Sequence, residues 1–386
     1  MNFFIFFCLK QRVVWYDELS VFDIIAKMSA NKRGYGGVRK MEKSDTSYRI
    51  NMISAANKIK GQGVASAHDE QVKLVTENIA SDIVVTEDGF VKADISHFHT
   101  VNPTFYLFSF FKKRTGIRVG YVHMIPETVE SSLQLPRLFK NIFYKYMISF
   151  YKRMDVLVTV NPYFIDMLEK YGIKREKVTY IPNFVSDELF YRFSEEKRNQ
   201  IKEKYGIPSD KFVVLCAGQT QVRKGIFDFI ETAKRMPSLQ FVWAGGFSFG
   251  KITDGYEKIK KIMENPPENV KFLGIVDREE MPGIYNMANV MFLPSFEELF
   301  PMTVLEAMSC RIPILLRDLE IYENILFDYY LKEKDVEGFC TALEKLSGEP
   351  SFYENAEDAA QRGHDFYSKE HVFSMWDSFY RSLLNP

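Results

Sequence analysis

The stretch VMFLPSFEELFPMTVLEAMSCRIPILL, from Val290 to Leu316, contains two short apolar runs separated by an acidic loop and a helical pattern. The first apolar run ends at Pro294. The helical pattern starts at Pro301, since proline is tolerated in the first turn of a helix. Strand, loop, helix and strand in this order are typical of a parallel α/β sheet. We therefore predict an α/β fold around this stretch.

The amino end of this predicted helix is a candidate anion-binding site. The first backbone amides of a helix lack partners within the helix, and they attract anions. The residues at this end are Pro301, Met302, Thr303 and Val304. Two carboxylates, Glu298 and Glu306, flank it, and a carboxylate near a phosphate must accept hydrogen bonds from hydroxyl groups instead. A ligand with both phosphate and hydroxyl groups, such as a sugar nucleotide, fits this arrangement.

The two glutamates also carry a family resemblance. Seven residues separate Glu298 from Glu306, on a frame of Pro-Ser, Glu and Leu-Glu-Ala-Met. This pattern resembles the signature of glycosyltransferase family 4, a family of retaining GT-B enzymes. The resemblance covers about Arg49 to Leu384 and implies two Rossmann-like, parallel-sheet domains that face a cleft. The sequence departs from the common pattern at two glycine positions, which here are Pro301 and Arg311.

Strand and helix patterns alternate along the rest of the chain. One series starts with a strand at Arg49 to Ser54 and includes one at Val91 to His97. A second series starts at Phe212 to Cys216, after the charged stretch Ser186 to Lys204. Repeated alternation predicts parallel sheets covered by helices. The predicted boundaries are 1–47 for an extension, 48–185 for the acceptor domain, 186–368 for the nucleotide-sugar domain and 369–386 for a segment that crosses back.

Two features bear on the compartment. The opening MNFFIFFCL is far shorter than the ~20 residues of a membrane-spanning helix, and no small-residue cleavage pattern follows it. We assign no function to the extension. The four cysteines show no paired spacing, and Cys216 and Cys310 lie in apolar runs typical of buried free thiols. The sequence therefore predicts a reducing, cytoplasmic location.

A basic turn follows the strand at Phe212 to Cys216. It contains Arg223 and Lys224 directly before Gly225 and an amphipathic helix. Cations at the carboxyl end of a parallel strand can neutralise the charge that builds up on a diphosphate leaving group. A solvated basic turn is the alternative. The resemblance favours the diphosphate role, because family members carry basic residues here.

Candidate residues also lie in the first domain. Gly61 and Gly63 precede a helical pattern, where backbone can approach a ligand closely, although a simple turn is the alternative. In the resembled family this loop borders the donor diphosphate and the acceptor. His97, His99 and His123 lie at strand ends. We interpret the first two as packed residues, whereas His123 resembles the family position that touches the donor sugar, where an imidazole can hydrogen-bond a hydroxyl.

The resemblance implies a division of roles within this site. Glu298, together with His123, stabilises the transition state at the donor sugar. Glu306 accepts hydrogen bonds from the ribose hydroxyls. The sequence has no Asp-x-Asp motif and no His or Cys cluster with metal-ligand spacing. We therefore expect neither a metal site nor a cofactor besides the donor substrate.

The stretch PRLFKNIFYKYMISFYKRM, from Pro136 to Met154, contains five basic residues, six aromatic residues and no acidic residue. On a helix, its basic and aromatic residues fall on different arcs. Residues 100–180 contain thirteen Lys or Arg and six Asp or Glu, a net charge of +7 in a chain of net charge −1. This asymmetry and the cluster FYLFSFFKKR (Phe105 to Arg114) favour an anionic membrane surface as partner. The alternative is an aromatic face packed on the sheet; nucleic acid is disfavoured, because the total charge is near zero.

Four stretches narrow the expected function: KGQGVASAHDEQV, VHMIPETV, WAGGFSFGKITDGYE and ELFPMTVLEAMS. They resemble bacterial glycolipid synthases that add a hexose to diacylglycerol or to glucosyl-diacylglycerol. The resemblance implies retaining transfer from UDP-glucose or UDP-galactose, with glucosyl-diacylglycerol as the favoured acceptor, at the inner face of the cell membrane. Alternatives are transfer of the first glucose to diacylglycerol, a polysaccharide or protein acceptor, and a membrane-binding protein on a degenerate transferase fold. The intact glutamates and basic pair disfavour the last alternative.

Overall fold

The computed structural model describes residues 47–55, 63–87, 89–130, 137–247, 250, 253–298 and 300–385. The opening stretch MNFFIFFCL with Cys8, the remainder of the extension up to residue 46, and Gly61 lie outside these residues.

The first sheet contains six parallel strands. They are β1 (Tyr48–Ile53), β2 (Ile83–Thr86), β3 (Ile95–Phe98), β4 (Ile117–Val122), β5 (Val156–Thr159) and β6 (Val178–Tyr180). The strands pair in the order β2-β1-β3-β4-β5-β6. All residues of β3 are buried, as expected for a central parallel strand that is covered on both faces.

The second sheet has the same number of strands, and again all are parallel. They are β7 (Val213–Ala217), β8 (Gln240–Ala244), β9 (Val270–Gly274), β10 (Val290–Leu293), β11 (Ile314–Arg317) and β12 (Leu331–Glu333). Their order is β12-β11-β10-β7-β8-β9. The central strands β7, β8 and β10 are buried along their full length.

Helices connect the strands and complete the chain. In the first half they are α1 (Gly63–Asn78), α2 (Pro103–Phe108), α3 (Lys112–Thr115), α4 (Pro126–Glu130), α5 (Arg137–Arg153) and α6 (Tyr163–Lys170). The later ones are α7 (Glu195–Lys204), α8 (Ile226–Arg235), α9 (Tyr256–Glu264), α10 (Met281–Met287), α11 (Met302–Ser309), α12 (Val336–Gly348), α13 (Pro350–Phe366) and α14 (Lys369–Leu384). No helix in the described part of the chain is both long and apolar enough to cross a bilayer.

The predicted α/β architecture with two parallel sheets is confirmed. The strand predicted at Val91 to His97 is shorter than expected and begins at Ile95. The residues before Ile95 form hydrogen bonds outside the strand pairing. The amide of Ala93, for example, donates to the carbonyl of Arg114 at 2.9 Å. Strand β12 was not predicted, because three residues are too few to show a period of two.

The last helix, α14, packs against α1 and the first sheet. Trp376 and Tyr380 of α14 are buried. The Tyr380 hydroxyl lies 2.9 Å from Nδ1 of His97 and accepts a hydrogen bond from Nε2 of Gln71 at 3.3 Å. The carboxyl terminus of the chain therefore contacts the half of the fold that is built from its earlier residues.

Four buried histidines form a cluster beside this contact. His97 lies in β3, His99 and His123 directly follow β3 and β4, and His68 lies on α1. The ring centroid of His99 is 4.3 Å from that of His97, 4.4 Å from that of His68 and 6.3 Å from that of His123. Strand order brings these residues together, because β3 and β4 are neighbours.

The histidine cluster is uncharged. Within the described residues, five of its ring nitrogens have no hydrogen-bond partner. Burial lowers the pKa of His97 and His99 well below the ordinary value, and a charge on a neighbouring imidazole would lower it further. Burial likewise lowers the pKa of His123 to about 3. Burial also lowers the pKa of His68, although the charge of Asp69 opposes this shift.

We predict that this cluster makes the folded state less stable as the pH falls below about 6.5, the pKa of histidine in an unfolded chain. The folded pKa values of His97, His99 and His123 are lowered well below this value, so in this window these three take up protons in the unfolded state only. Each such histidine then costs about 1.4 kcal/mol per pH unit. Urea unfolding at several pH values between 7.5 and 5 measures the slope. His99→Gln removes one titrating group and should reduce the slope by one histidine's share; equal slopes in parent and variant would contradict the prediction.

Candidate active site

The basic turn after β7 and the glutamate loop after β10 lie side by side, because these two strands are neighbours. The backbone N–H of Phe296 donates to the carbonyl of Arg223 at 2.8 Å. In return, Nη1 of Arg223 donates to the carbonyl of Glu297 at 3.3 Å. The carboxyl ends of parallel strands are where α/β proteins bind ligands. The two segments therefore form one candidate site.

Lys224 and Glu298 form an ion pair across this junction, through Nζ and Oε1. Their side chains are only 12% and 6% exposed, so water screens the pair weakly. Each charge compensates the cost of burying the other. The alternative of a solvated basic turn therefore does not hold for Lys224. Lys224, which is predicted to contact the diphosphate, therefore lies next to Glu298, which is predicted to contact the sugar.

A close backbone approach at Gly225 makes this junction possible. Gly225 has a φ of +74°. A Cβ atom added there would lie 2.1 Å from the carbonyl oxygen of Pro294. Only glycine avoids both the strained left-handed conformation and this clash. The glycine therefore sets the distance between the basic turn and the glutamate loop.

Helix α11 begins at Met302, and Pro301, where the helical pattern starts, is its amino-terminal cap. Pro301 precedes it with a φ of −71° and a ψ of 120°. The amide of Val304 donates to the carbonyl of Pro301 at 3.0 Å. The expectation that the Val304 amide is free was therefore wrong, because the first turn closes on the proline carbonyl. Met302 and Thr303 occupy the first two helical positions, as an anion-binding role requires.

The carboxyl end of α11 closes through Arg311, one of the two positions where the family pattern has glycine. Arg311 has a φ of 53°. Its amide donates to the carbonyl of Met308 at 2.8 Å, and the amide of Ile312 donates to that of Ala307 at 3.2 Å. These bonds form a helix-ending motif that glycine usually occupies. Arg311 adopts the same left-handed backbone at a cost of about 1–2 kcal/mol.

Glu306 is buried inside α11, and both of its carboxylate oxygens accept hydrogen bonds. Nη1 of Arg278 donates to Oε1 at 2.9 Å, and the Tyr285 hydroxyl donates to Oε2 at 2.6 Å. Burial, followed by the negative charge of Glu306, raises the pKa of Tyr285 well above its ordinary value. A carboxylate offers about four acceptor positions. Glu306 therefore retains capacity for the hydroxyl groups of a ligand.

No sequence pattern singled out Arg278, Glu70 or Tyr285. Arg278 donates through Nη2 to Oε1 of Glu70 on α1 at 2.8 Å, besides its bond to Glu306. One available signal was position, since Arg278 follows β9 by four residues and β9 ends at the same edge of the second sheet. Position alone could not identify both of its partners, because one of them belongs to the first half of the fold.

Two further polar groups near the glutamate loop were also missed. Ser295 and Tyr322 are buried, and within the described residues Oγ of Ser295 and the Tyr322 hydroxyl have no hydrogen-bond partner. Burial, and then the charge of Glu298, raise the pKa of Tyr322 well above its ordinary value. Buried polar groups without partners are costly in a folded protein and are often explained by a function. Contacts within the described residues do not account for either hydroxyl.

The first half contributes His123 and the start of α1. His123 is buried, and its Nε2 atom has no partner among the described residues. Gly63 is the first residue of α1. The other member of the pair, Gly61, lies outside the described residues, so the roles of both glycines remain predictions. No group of three or more His, Cys, Asp or Glu side chains in the described ranges is arranged to hold a metal ion.

Two family models match consecutive parts of the chain. The model described as Glycosyltransferase Family 4 matches residues 83–189, and that described as Glycosyl transferases group 1 matches residues 197–363. The chain is 46% identical to an alpha-galactosylglucosyldiacylglycerol synthase of Streptococcus pneumoniae, over 86% of this chain and 89% of that protein. It is 28% identical to a processive diacylglycerol alpha-glucosyltransferase of Acholeplasma laidlawii, over 61% of this chain and 70% of that protein.

A solved structure shows the same fold at low identity. HepE from Anabaena, in complex with UDP-glucose, aligns with a TM-score of 0.71 at 14% identity, over 87% of this chain and 100% of that one. This likeness shows the GT-B fold, and the 46% identity over most of both chains shows the family. The chain is a glycosyltransferase with the GT-B fold and belongs to glycosyltransferase family 4.

Proposed function

We propose that this enzyme transfers a hexose from a UDP-sugar to glucosyl-diacylglycerol, with retention of the anomeric configuration of the donor. The main support for this proposal is the cluster of Arg223, Lys224 and Glu298 beside the amino end of α11. It combines positive charge and helix amides for a diphosphate with a carboxylate for sugar hydroxyls. The name of the Streptococcus pneumoniae relative, which describes a galactosyl-glucosyl lipid, supports the acceptor and favours galactose as the transferred sugar.

The diphosphate is placed between the basic turn and the first turn of α11. Negative charge builds up on this leaving group as the glycosidic bond breaks, so cations fixed near it lower the barrier. Arg223 and Lys224 supply charge, and the Met302 and Thr303 amides supply hydrogen bonds at the positive end of a helix dipole. In this proposal side chains and helix amides stabilise the leaving group without a metal ion.

Glu298 and Glu306 contact different parts of the donor, namely the sugar ring and the ribose. The ion pair with Lys224 holds Glu298 in a shielded place, where a carboxylate stabilises positive charge that develops on the sugar ring. Glu306 faces the ribose hydroxyls with the acceptor capacity left by Arg278 and Tyr285. UDP-hexoses carry an α-anomeric bond and both relatives are named for alpha products, so transfer with retention fits.

We further propose that the first half of the fold binds an anionic bilayer, and α5 provides part of the surface. The aromatic arc predicted for this helix, to which Ile142 and Phe150 belong, is divided in the structure. Phe150, near its carboxyl end, is buried against Phe98, with ring centroids 6.0 Å apart. Ile142, nearer its amino end, is 44% exposed. One part of the arc therefore packs on the sheet, and the other part is free to meet lipid.

The surface continues through a row of aromatic rings on α2 and α5. Phe110 and Phe111, at the corner between α2 and α3, are 53% and 47% exposed. The ring of Tyr106 lies 5.4 Å from that of Phe110 and 5.6 Å from that of Tyr146. The exposed basic side chains of the surface are Lys112, Lys113, Lys145 and Lys152. Exposed aromatic rings flanked by lysines suit the interface of an anionic membrane.

The reaction itself is tested with the full chain, radiolabelled UDP-galactose or UDP-glucose, and mixed vesicles that contain diacylglycerol or glucosyl-diacylglycerol. We expect label in a two-sugar lipid only when glucosyl-diacylglycerol is present, and an α-anomeric proton in the product by NMR. Label in a one-sugar lipid would assign the first transfer instead. A β-linked product would contradict retention, and label only in water-soluble products would contradict the lipid acceptor.

Replacement of the two glutamates should affect different properties of the enzyme, kcat in one case and UDP affinity in the other. Glu298→Gln should lower kcat by about 10²-fold and leave UDP affinity nearly intact, because its contact is made to the sugar in the transition state. Glu306→Gln should weaken UDP binding by about 1.5–3 kcal/mol, because a charge-assisted hydrogen bond is lost. Calorimetric titration of UDP and steady-state kinetics measure both, with Glu297→Gln as the neighbouring control. Parent-like UDP affinity in Glu306→Gln would contradict the ribose assignment.

Membrane binding should depend on both parts of the surface. Phe110→Ser with Phe111→Ser removes exposed apolar area that would enter the bilayer. Lys145→Glu with Lys152→Glu reverses charges worth about 1 kcal/mol each near an anionic surface. Both double variants should co-sediment weakly with phosphatidylglycerol vesicles at low salt and retain UDP binding.

A matched control makes the same charge change elsewhere. Lys234 and Lys258 are exposed on helices of the second half, and their double replacement by Glu should leave sedimentation unchanged. If the phenylalanine variant and the lysine variant both sediment as the parent does, this surface does not bind the membrane.

A further inference from the structure

A chain of four hydrogen-bonded side chains joins the two halves of the fold. Glu70 of α1 accepts from Nη2 of Arg278 at 2.8 Å, and Nη1 of the same guanidinium donates to Glu306 at 2.9 Å. The Tyr285 hydroxyl donates to the second oxygen of Glu306 at 2.6 Å. Arg278 therefore contacts a helix of the first half and a residue of the proposed nucleotide site at once.

The guanidinium holds both carboxylates in a fixed geometry. Its donors form a rigid planar fork, whereas a lysine ammonium is a single point of charge on a flexible stem. Its central carbon lies 5.2 Å from the ring centroid of Phe190, which limits its movement on one side. Both carboxylates are largely buried, with 13% of the Glu70 side chain and 7% of the Glu306 side chain exposed. Without the arginine, two poorly hydrated negative charges would face each other.

The charged groups in this set of four side chains affect one another's pKa values. Burial raises the pKa of Glu70, and the guanidinium of Arg278 opposes that shift. Burial would lower the pKa of Arg278, but the charges of Glu306 and Glu70 raise it. Arg278 is therefore always a cation, and it is the group that keeps the carboxylates from repelling each other.

Helix α1 carries this connection toward other parts of the first half. Glu70 lies seven residues after Gly63, about two helical turns from the start of α1. Two residues before it, His68 joins the histidine cluster that includes His123. A shift of α1 would therefore move the start of the helix, the histidine cluster and the partner of Arg278 together.

We propose that Arg278 is a positioning residue: it orients Glu306 for the nucleotide and, through Glu70, ties the nucleotide site to α1. The inference rests on the proposed binding of a UDP-sugar. Arg278 is not assigned a contact with the substrate. Its effect is on the ground-state binding of the nucleotide, which appears in KM and in UDP affinity before it appears in kcat.

The experiment is calorimetric titration of UDP into the full chain and its variants, which needs neither lipid nor acceptor. Arg278→Lys keeps the charge but loses the fork, and it should weaken UDP binding about tenfold. Glu70→Gln keeps an acceptor for Arg278 but removes the negative charge from the link to α1, and it should weaken UDP binding about threefold. The double variant should bind UDP as Arg278→Lys does, because residues in one network are not additive.

Glu188→Gln is the matched control. Glu188 accepts from Nζ of Lys73 at 2.6 Å, and Lys73 lies on α1 one turn after Glu70. The control therefore removes an ion-pair carboxylate that is bound to the same helix, and UDP affinity should not change. In steady-state kinetics, Arg278→Lys should raise KM for the UDP-sugar and leave kcat within about twofold. A merely structural defect would instead reduce the folded fraction, and with it the apparent kcat, without changing KM.

The outcomes distinguish a failure of the role inferred for Arg278 from a failure of the proposed function. UDP affinity equal to that of the parent in either Arg278→Lys or Glu70→Gln overturns the inference, as does full additivity in the double variant. Thermal melting reports folding, and if Arg278→Lys does not fold, unchanged affinity in Glu70→Gln alone overturns the inference. A parent chain that binds no UDP overturns the proposed function and the inference with it. A parent that binds UDP but transfers no sugar to lipid leaves the inference standing and overturns the acceptor.

Discussion

The close approach of Gly225 to Pro294 is the constraint on which the site depends. The backbone of the basic turn touches the carbonyl that precedes the glutamate loop, and no side chain fits between them. Because of this contact, the N–H of Phe296 reaches the carbonyl of Arg223, and Lys224 reaches Glu298. A residue with a side chain at position 225 would separate the cationic and the acidic parts of the site.

The protein handles buried charge in two ways around the proposed cleft. In the second half charges are paired, as in Lys224 with Glu298 and Arg278 with Glu306, so each has an opposite charge beside it where water is scarce. In the first half the histidine cluster holds no charge, because burial lowers the pKa of its imidazoles. Paired charges suit a phosphate-bearing ligand, whereas neutral imidazoles such as that of His123 suit hydroxyl groups.

The two halves of the fold also differ at the surface. The first half carries the exposed rings of Phe110 and Phe111 and a net positive charge, while the chain as a whole is nearly neutral. An enzyme with a water-soluble donor and a lipid acceptor needs such a division, since one substrate arrives from solution and the other stays in the bilayer. Arg278 with Glu70 bridges the two halves, and Tyr380 of the last helix contacts His97 in the first sheet.

Local patterns in the sequence determined the parallel α/β fold, the family and the candidate residues Glu298, Glu306, Arg223 and Lys224. They also identified Cys216 and Cys310 as buried thiols, as confirmed, since an apolar run needs no distant partner to be buried. Only the tertiary structure decided which charges meet, how the aromatic arc of α5 divides, and that Arg278 joins the two halves. The reason is physical: periodicity is set by neighbours along the chain, whereas pairing depends on strand order and on which helix packs across it.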